Sequence, residues 1–125
     1  MKVEHIGLNV AQSTAMAEWY CDNLGMKVVR KLSATTFFIA DESGHGIFEI
    51  YQNPAAEVPD YAAMDPLILH IAFQTEDIDG DFKRLVAAGA TVVAELADKG
   101  GSVLAMLRDP WGIAIQLAAR PEPLI

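Results

Sequence analysis

The chain has 125 residues, 52% of them hydrophobic, which suits a single domain whose core needs no disulfide or metal in order to fold. Nine Lys and Arg stand against 17 Asp and Glu, a formal net charge of −8, so the basic clusters that nucleic acid or an anionic membrane demands are missing. A single cysteine, Cys21, no apolar run long enough to span a bilayer and no basic-then-apolar leader make a cytoplasmic protein the expectation.

Residues 2–10 alternate, with Val3, His5, Gly7 and Asn9 on one side of a strand. Ser13 reads as an N-cap, and Met16, Trp19, Tyr20 and Leu24 form a helical stripe that Gly25 ends. Strands are expected over 26–32, 35–40 and 47–51, the last two joined by the hairpin residues 41–46. Pro54, Pro59 and Pro66 mark 53–66 as a connector with little regular structure. The order then returns. A strand over 67–74 leads to a helix capped by Asp77 or Asp79, with Ile78, Phe82, Leu85 and Val86 inward and Gly89 as its stop. Three further strands follow at 91–96, 102–107 and 112–118.

This is an internal repeat of two βαβββ modules, about 1–52 and 67–119, each too small to bury its own sheet well. The fold class is α+β, with mixed sheets and helices on one face. The modules also share chemistry. His5 and His70 open them, 65 positions apart, and Glu49 and Gln116 close them, 67 apart. Strand parity sets Glu49 with Ile47 and Tyr51, opposite Phe48 and Ile50, and sets Gln116 with Ala114 and Ala118, opposite Ile113, Ile115 and Leu117. Each polar residue is thus expected opposite an apolar face that packs on a helix. Two imidazole nitrogens, one carboxylate and one amide oxygen suit a divalent transition metal: Ni, Co, Zn, Mn or Fe. Taken singly, each of these residues but Glu49, whose unpaired burial would be costly, reads more simply as structural. Matched places in a repeat favour one metal site, His5, Glu49, His70 and Gln116. His45 in its turn, Cys21 in its helix and Asp109 as a turn former are set aside, and Glu76, Asp77, Asp79 and Asp81 read as helix N-terminal charge.

Two such modules resemble the vicinal oxygen chelate superfamily, which includes glyoxalase I, methylmalonyl-CoA epimerase, extradiol dioxygenases, and fosfomycin and bleomycin resistance proteins. The phrases that carry the resemblance are His5-Ile6-Gly7-Leu8-Asn9-Val10, Trp19-Tyr20 before Leu24-Gly25-Met26, and Arg108-Asp109-Pro110-Trp111-Gly112 leading into Ile115-Gln116-Leu117. The resemblance implies an open cup with the helices outside, a metal at its base, a small-molecule substrate, and a homodimer whose sites each draw one module from each chain. An intrachain cup is the other arrangement in the superfamily.

The resemblance also implies lyase or isomerase chemistry, a proton moved next to a carbonyl with Glu49 as acceptor. Glyoxalase-like members place the working carboxylate on the last strand of the second module, where this chain has Gln116. Epimerase-like members carry Gln in the first module and Glu in the second, the reverse of Glu49 and Gln116 here. A metal-free, bleomycin-resistance-like binding protein and an extradiol dioxygenase-like enzyme are the alternatives. With a net charge of −8, an anionic substrate needs a local positive centre, such as a metal.

Overall fold

The computed structural model describes residues 1–125, which fold into two compact units, Met1–Pro59 and Asp60–Ile125. The first holds β1 (Ile6–Asn9), α1 (Ser13–Leu24), β2 (Lys27–Ser33), β3 (Thr36–Ala40) and β4 (Ile47–Tyr51). The second holds a single 3-10 turn (Tyr61–Ala63), then β5 (Ile71–Gln74), α2 (Ile78–Ala87), β6 (Thr91–Lys99), β7 (Ser102–Arg108) and β8 (Ala114–Ala119). The sheets have the same order, β1-β4-β3-β2 and β5-β8-β7-β6. In each, the first and last strands of the module pair in parallel and the rest are antiparallel. The α+β architecture of a repeated βαβββ module is therefore present as the sequence implies.

One face of each sheet is apolar and covered by its helix. In the first unit Phe37, Ile39, Phe48 and Ile50 are buried, and α1 packs on β3 and β4 with Met16, Ala17 and Tyr20. In the second, Leu107, Ile115 and Leu117 are buried, and α2 packs on β8 and β6 with Ile78 and Leu85. Burial of such side chains stabilises each unit by about 1.5–3 kcal/mol apiece before chain entropy is charged against it. The opposite faces are left for polar chemistry.

Several local expectations shift. Both opening strands begin later than the alternation suggests, at Ile6 and Ile71, so His5 and His70 sit immediately before their strands. For His70 the cause is a turn: the Asp65 side chain accepts from Leu67 N at 2.8 Å, and the Asp65 carbonyl accepts from Ile68 N at 2.9 Å. The N-cap of α1 is Gln12, whose carbonyl accepts from Met16 N at 3.0 Å; Ser13 is the first helical residue, not the cap. Val86 points outward at 39% exposure, because Leu85 takes the central inward position of α2. The 53–66 stretch contains the 3-10 turn, whose Asp60 cap accepts from Ala63 N.

Two clips hold these connections. The Asn9 side chain donates to the Asn53 and Ala56 carbonyls and accepts from Asn53 N, tying the exit of β4 beside β1. In the second unit the Arg108 guanidinium donates to the carbonyls of Tyr61, Met64 and Gly112. Gly112 has φ +94°, and a methyl group there would lie 2.6 Å from Ala62 N, so only glycine fits. Asp109, 3% exposed, accepts from Trp111 N and Ile113 N, which makes it the turn former expected.

Candidate functional site

The polar face of the first sheet is built by register. Gly7 is the Cα partner of Glu49, which is the partner of Phe38, which is the partner of Arg30. His5 precedes Gly7 by two residues and so returns to the same side of the chain. Its Nε2 lies 3.4 Å from Glu49 Oε2, and its ring meets Phe38 edge-to-face at 5.3 Å between centroids. Tyr51 flanks the same spot. A methyl group on Gly7 would lie 3.2 Å from Tyr51 Cε1, 3.5 Å from its hydroxyl and 3.6 Å from Glu49 Oε2. The missing side chain at Gly7 thus lets the Tyr51 ring pack over its backbone, beside the Glu49 carboxylate.

The second sheet repeats this frame with other side chains. Ala72 is the partner of Gln116, then Met106, then Ala94. His70 precedes Ala72 by two residues, as His5 precedes Gly7. Gln116 is half-buried between the buried Ile115 and Leu117.

The histidines share one further property. His70 Nδ1 lies 2.8 Å from the Pro66 carbonyl, and His5 Nδ1 lies 2.5 Å from Glu4 Oε2. The Pro66 carbonyl only accepts, so His70 Nδ1 carries the proton and the neutral ring presents Nε2 as a lone pair, whereas His5 has a carboxylate oxygen at each nitrogen, Glu4 at Nδ1 and Glu49 at Nε2. This partnering is what orients metal-bound histidines in general. The donor chemistry therefore fits a divalent transition metal. The structure brings His5 and Glu49 together; it brings no three His, Cys, Asp or Glu side chains into a metal-holding cluster.

The residues set aside behave as expected. His45 is exposed in its turn. Burial pushes the Cys21 thiol up, the reverse of an activated nucleophile. Asp77 caps α2 through Gly80 N, and Asp81 is tied to the Thr75 hydroxyl and to Arg84. Glu4, Phe38 and Arg30 join the site only in the structure. Strand parity already placed Tyr51 beside Glu49, but only the strand pairing places Phe38 and Arg30.

The sequence matches the Glyoxalase/Bleomycin resistance protein/Dioxygenase superfamily over residues 2–117. This chain belongs to that superfamily. Its fold is similar to a glyoxalase family protein from Bacillus cereus, at 19% identity and TM-score 0.78, covering 95% of this chain and 93% of that one. It is similar to a glyoxalase-related enzyme from Fulvimarina pelagi, at 17% identity and TM-score 0.76, covering 97% and 89%. It is also similar to TnmS3, an antibiotic binding protein from a Streptomyces species, at 17% identity and TM-score 0.74, covering 96% of both chains. No curated protein matches the sequence. At these identities the likeness concerns the fold. No helix is long and apolar enough to cross a membrane.

Proposed function

We propose that this superfamily member is a metal-dependent lyase or isomerase that moves a proton next to a carbonyl of a small metabolite. His5, Glu49, His70 and Gln116 are its ligands for one divalent transition metal, and Glu49 is also its proton acceptor. The observation that supports this reading is the placement of the two histidines, each with Nδ1 against an oxygen acceptor, so that Nε2 is the nitrogen left to face a metal. The ion, when bound, supplies Lewis-acid polarisation of the substrate carbonyl.

The chain's own residues do the rest. Glu49 stands on the polar face with one oxygen near His5, and there it takes a proton from a substrate carbon and returns it to the neighbouring carbon. The Tyr51 hydroxyl, on the same face as Glu49, donates to a substrate oxygen. Phe38 fixes the His5 ring edge-on and keeps that flank apolar.

The test is bound metal per chain on untagged protein purified without chelator. About one first-row metal per chain, lost in His5→Ala and His70→Ala, is expected. Deuterium incorporation next to the carbonyl of α-oxo acids and thioesters in heavy water then reads the proton transfer. The likeness to an antibiotic binding protein supports a second reading, metal-free binding of a small molecule. Protein that takes up none of Ni, Co, Zn, Mn or Fe(II) overturns the enzyme reading in favour of that one.

A further inference from the structure

We infer that Arg30 is a substrate anchor, and that the substrate carries an oxyanion group, carboxylate or phosphate, besides its reacting carbonyl. The inference rests on the reading of Glu49 as the reacting centre.

The position of Arg30 is decided by a break in strand pairing. Lys27 pairs with Ala40 and Val28 with Ile39, so regular pairing would bring Val29 opposite Phe38. A bulge between Val28 and Arg30 brings Arg30 there instead. Bulges re-aim side chains in this way, and they are frequent beside active sites. Arg30 therefore enters the row Gly7, Glu49, Phe38, Arg30 on the polar face. Two strand spacings separate its Cα from that of Glu49, about 10 Å. An extended arginine side chain covers much of that span, with only the Phe38 ring between.

The guanidinium is available. Arg30 is exposed and takes part in none of the ion pairs of the chain. Lys27 follows on the same face, through Ala40 and Ile47, whereas Lys31 lies on the opposite face with its ammonium 5.3 Å from the Phe37 ring centroid. In the second unit the bulge recurs between Val92 and Ala94, and the row ends in Ala94. The bulge thus belongs to the module, and the cation belongs to the first unit alone. In a chain of net charge −8, this is the local positive centre that an anionic substrate needs. A planar, permanently charged fork suits carboxylate and phosphate oxygens.

The test compares three probes by calorimetry on the protein as purified and after metal loading: 2-oxoglutarate, 2-oxo-4-phosphonobutanoate, and 2-oxopentanoate, which lacks the distal charge. Wild-type protein is expected to bind at least one of the two charged probes about tenfold or more tightly than 2-oxopentanoate, in line with a charge-assisted hydrogen bond. Whether the carboxylate or the phosphonate wins distinguishes the two sources of the oxyanion. In Arg30→Gln that preference is lost while metal content stays unchanged; in Arg30→Lys part of it returns. Equal binding of all three probes, a preference surviving in Arg30→Gln, or no binding of any probe overturns the anchor. Metal content, measured on the same samples, reports separately on the metal reading.

Discussion

The two units share a backbone plan and differ in what they mount on it. Row by row across the polar face, the first unit presents Gly7, Glu49, Phe38 and Arg30, and the second presents Ala72, Gln116, Met106 and Ala94. Tyr51 in the first corresponds to Ala118 in the second, each two residues beyond its Glu or Gln. The carboxylate, the aromatic ring, the phenol and the guanidinium of that row all belong to the first unit. The second contributes an imidazole and an amide, the weaker half of the proposed ligand set. A repeated fold preserves pairing and burial, because every residue of the apolar face must fit its helix. The polar face is under no such constraint, and chemistry concentrates on one copy.

Exchange of the two closing residues tests that asymmetry most strongly. Glu49→Gln is expected to lower proton transfer about 10²- to 10⁴-fold, read as the rate of deuterium incorporation, with Gln116→Glu restoring little of it. A Glu49→Gln protein that keeps its full rate removes Glu49 as acceptor and with it the idea that the first unit leads.

Structural asymmetry is the next lever. The second unit is pinned by Gly112 and Arg108, for which the first has the Asn9 clip. Gly112→Ala meets both a positive φ and the Ala62 backbone, and is expected to destabilise by about 3 kcal/mol in urea unfolding. Arg108→Met leaves three carbonyls without that donor and is expected to cost about 2 kcal/mol by the same measurement. If either change is neutral, the pinning of the second unit is not what holds residues 61–64.

The helix starts offer a smaller and opposite effect. Ser13 and Ile78 are both the first residue of their helices and both are buried. Ser13 Oγ has no hydrogen-bond partner, whereas Ile78 has nothing to satisfy. Ser13→Ala is expected to raise stability by up to about 1 kcal/mol, since an unsatisfied buried hydroxyl is removed. A fall in melting temperature would contradict this.

The units also carry one depressed carboxylate each. Burial raises Asp81, but hydrogen bonds from Thr75 and Arg84, with the Arg84 charge, bring its pKa below the ordinary aspartate value. Burial raises Asp41 likewise, and the Ser43 hydroxyl with the Gly46, Gly44 and His45 backbone amides bring it down. A folded pKa below the unfolded one gives stability that is present above about pH 4 and lost as the pH falls through the folded value. Asp81→Asn and Asp41→Asn are each expected to flatten the acid limb of the stability profile. An unchanged limb in both variants removes these carboxylates as its source.

Much of this was legible in the chain itself. Alternation and helical stripes gave the two βαβββ modules, because burying one face of a sheet leaves a period of two in the sequence, as in Phe48 and Ile50 or Ile115 and Leu117. The same parity set Glu49 and Gln116 on the polar side. Each opening strand starts later than alternation implies, because the alternation continues through Val3 and Ile68, where no partner strand exists; both are exposed. The cap of α1 falls on Gln12 and not on Ser13, because residue type alone does not say which residue takes the cap conformation.

What the sequence by itself determined is therefore the repeat, the apolar faces and the residue types available for chemistry. These follow from local periodicity and from side-chain character. The tertiary structure decided which of those residues meet. His5 reaches Glu49 because β1 pairs in parallel with β4, strands separated by a helix and a hairpin. Arg30 shares a row with Glu49 because one bulged residue shifts the register of β2. Pairing register is a cooperative property of whole strands, and a shift of one residue turns a side chain to the other face, so no local pattern in 27–33 distinguishes Val29 from Arg30.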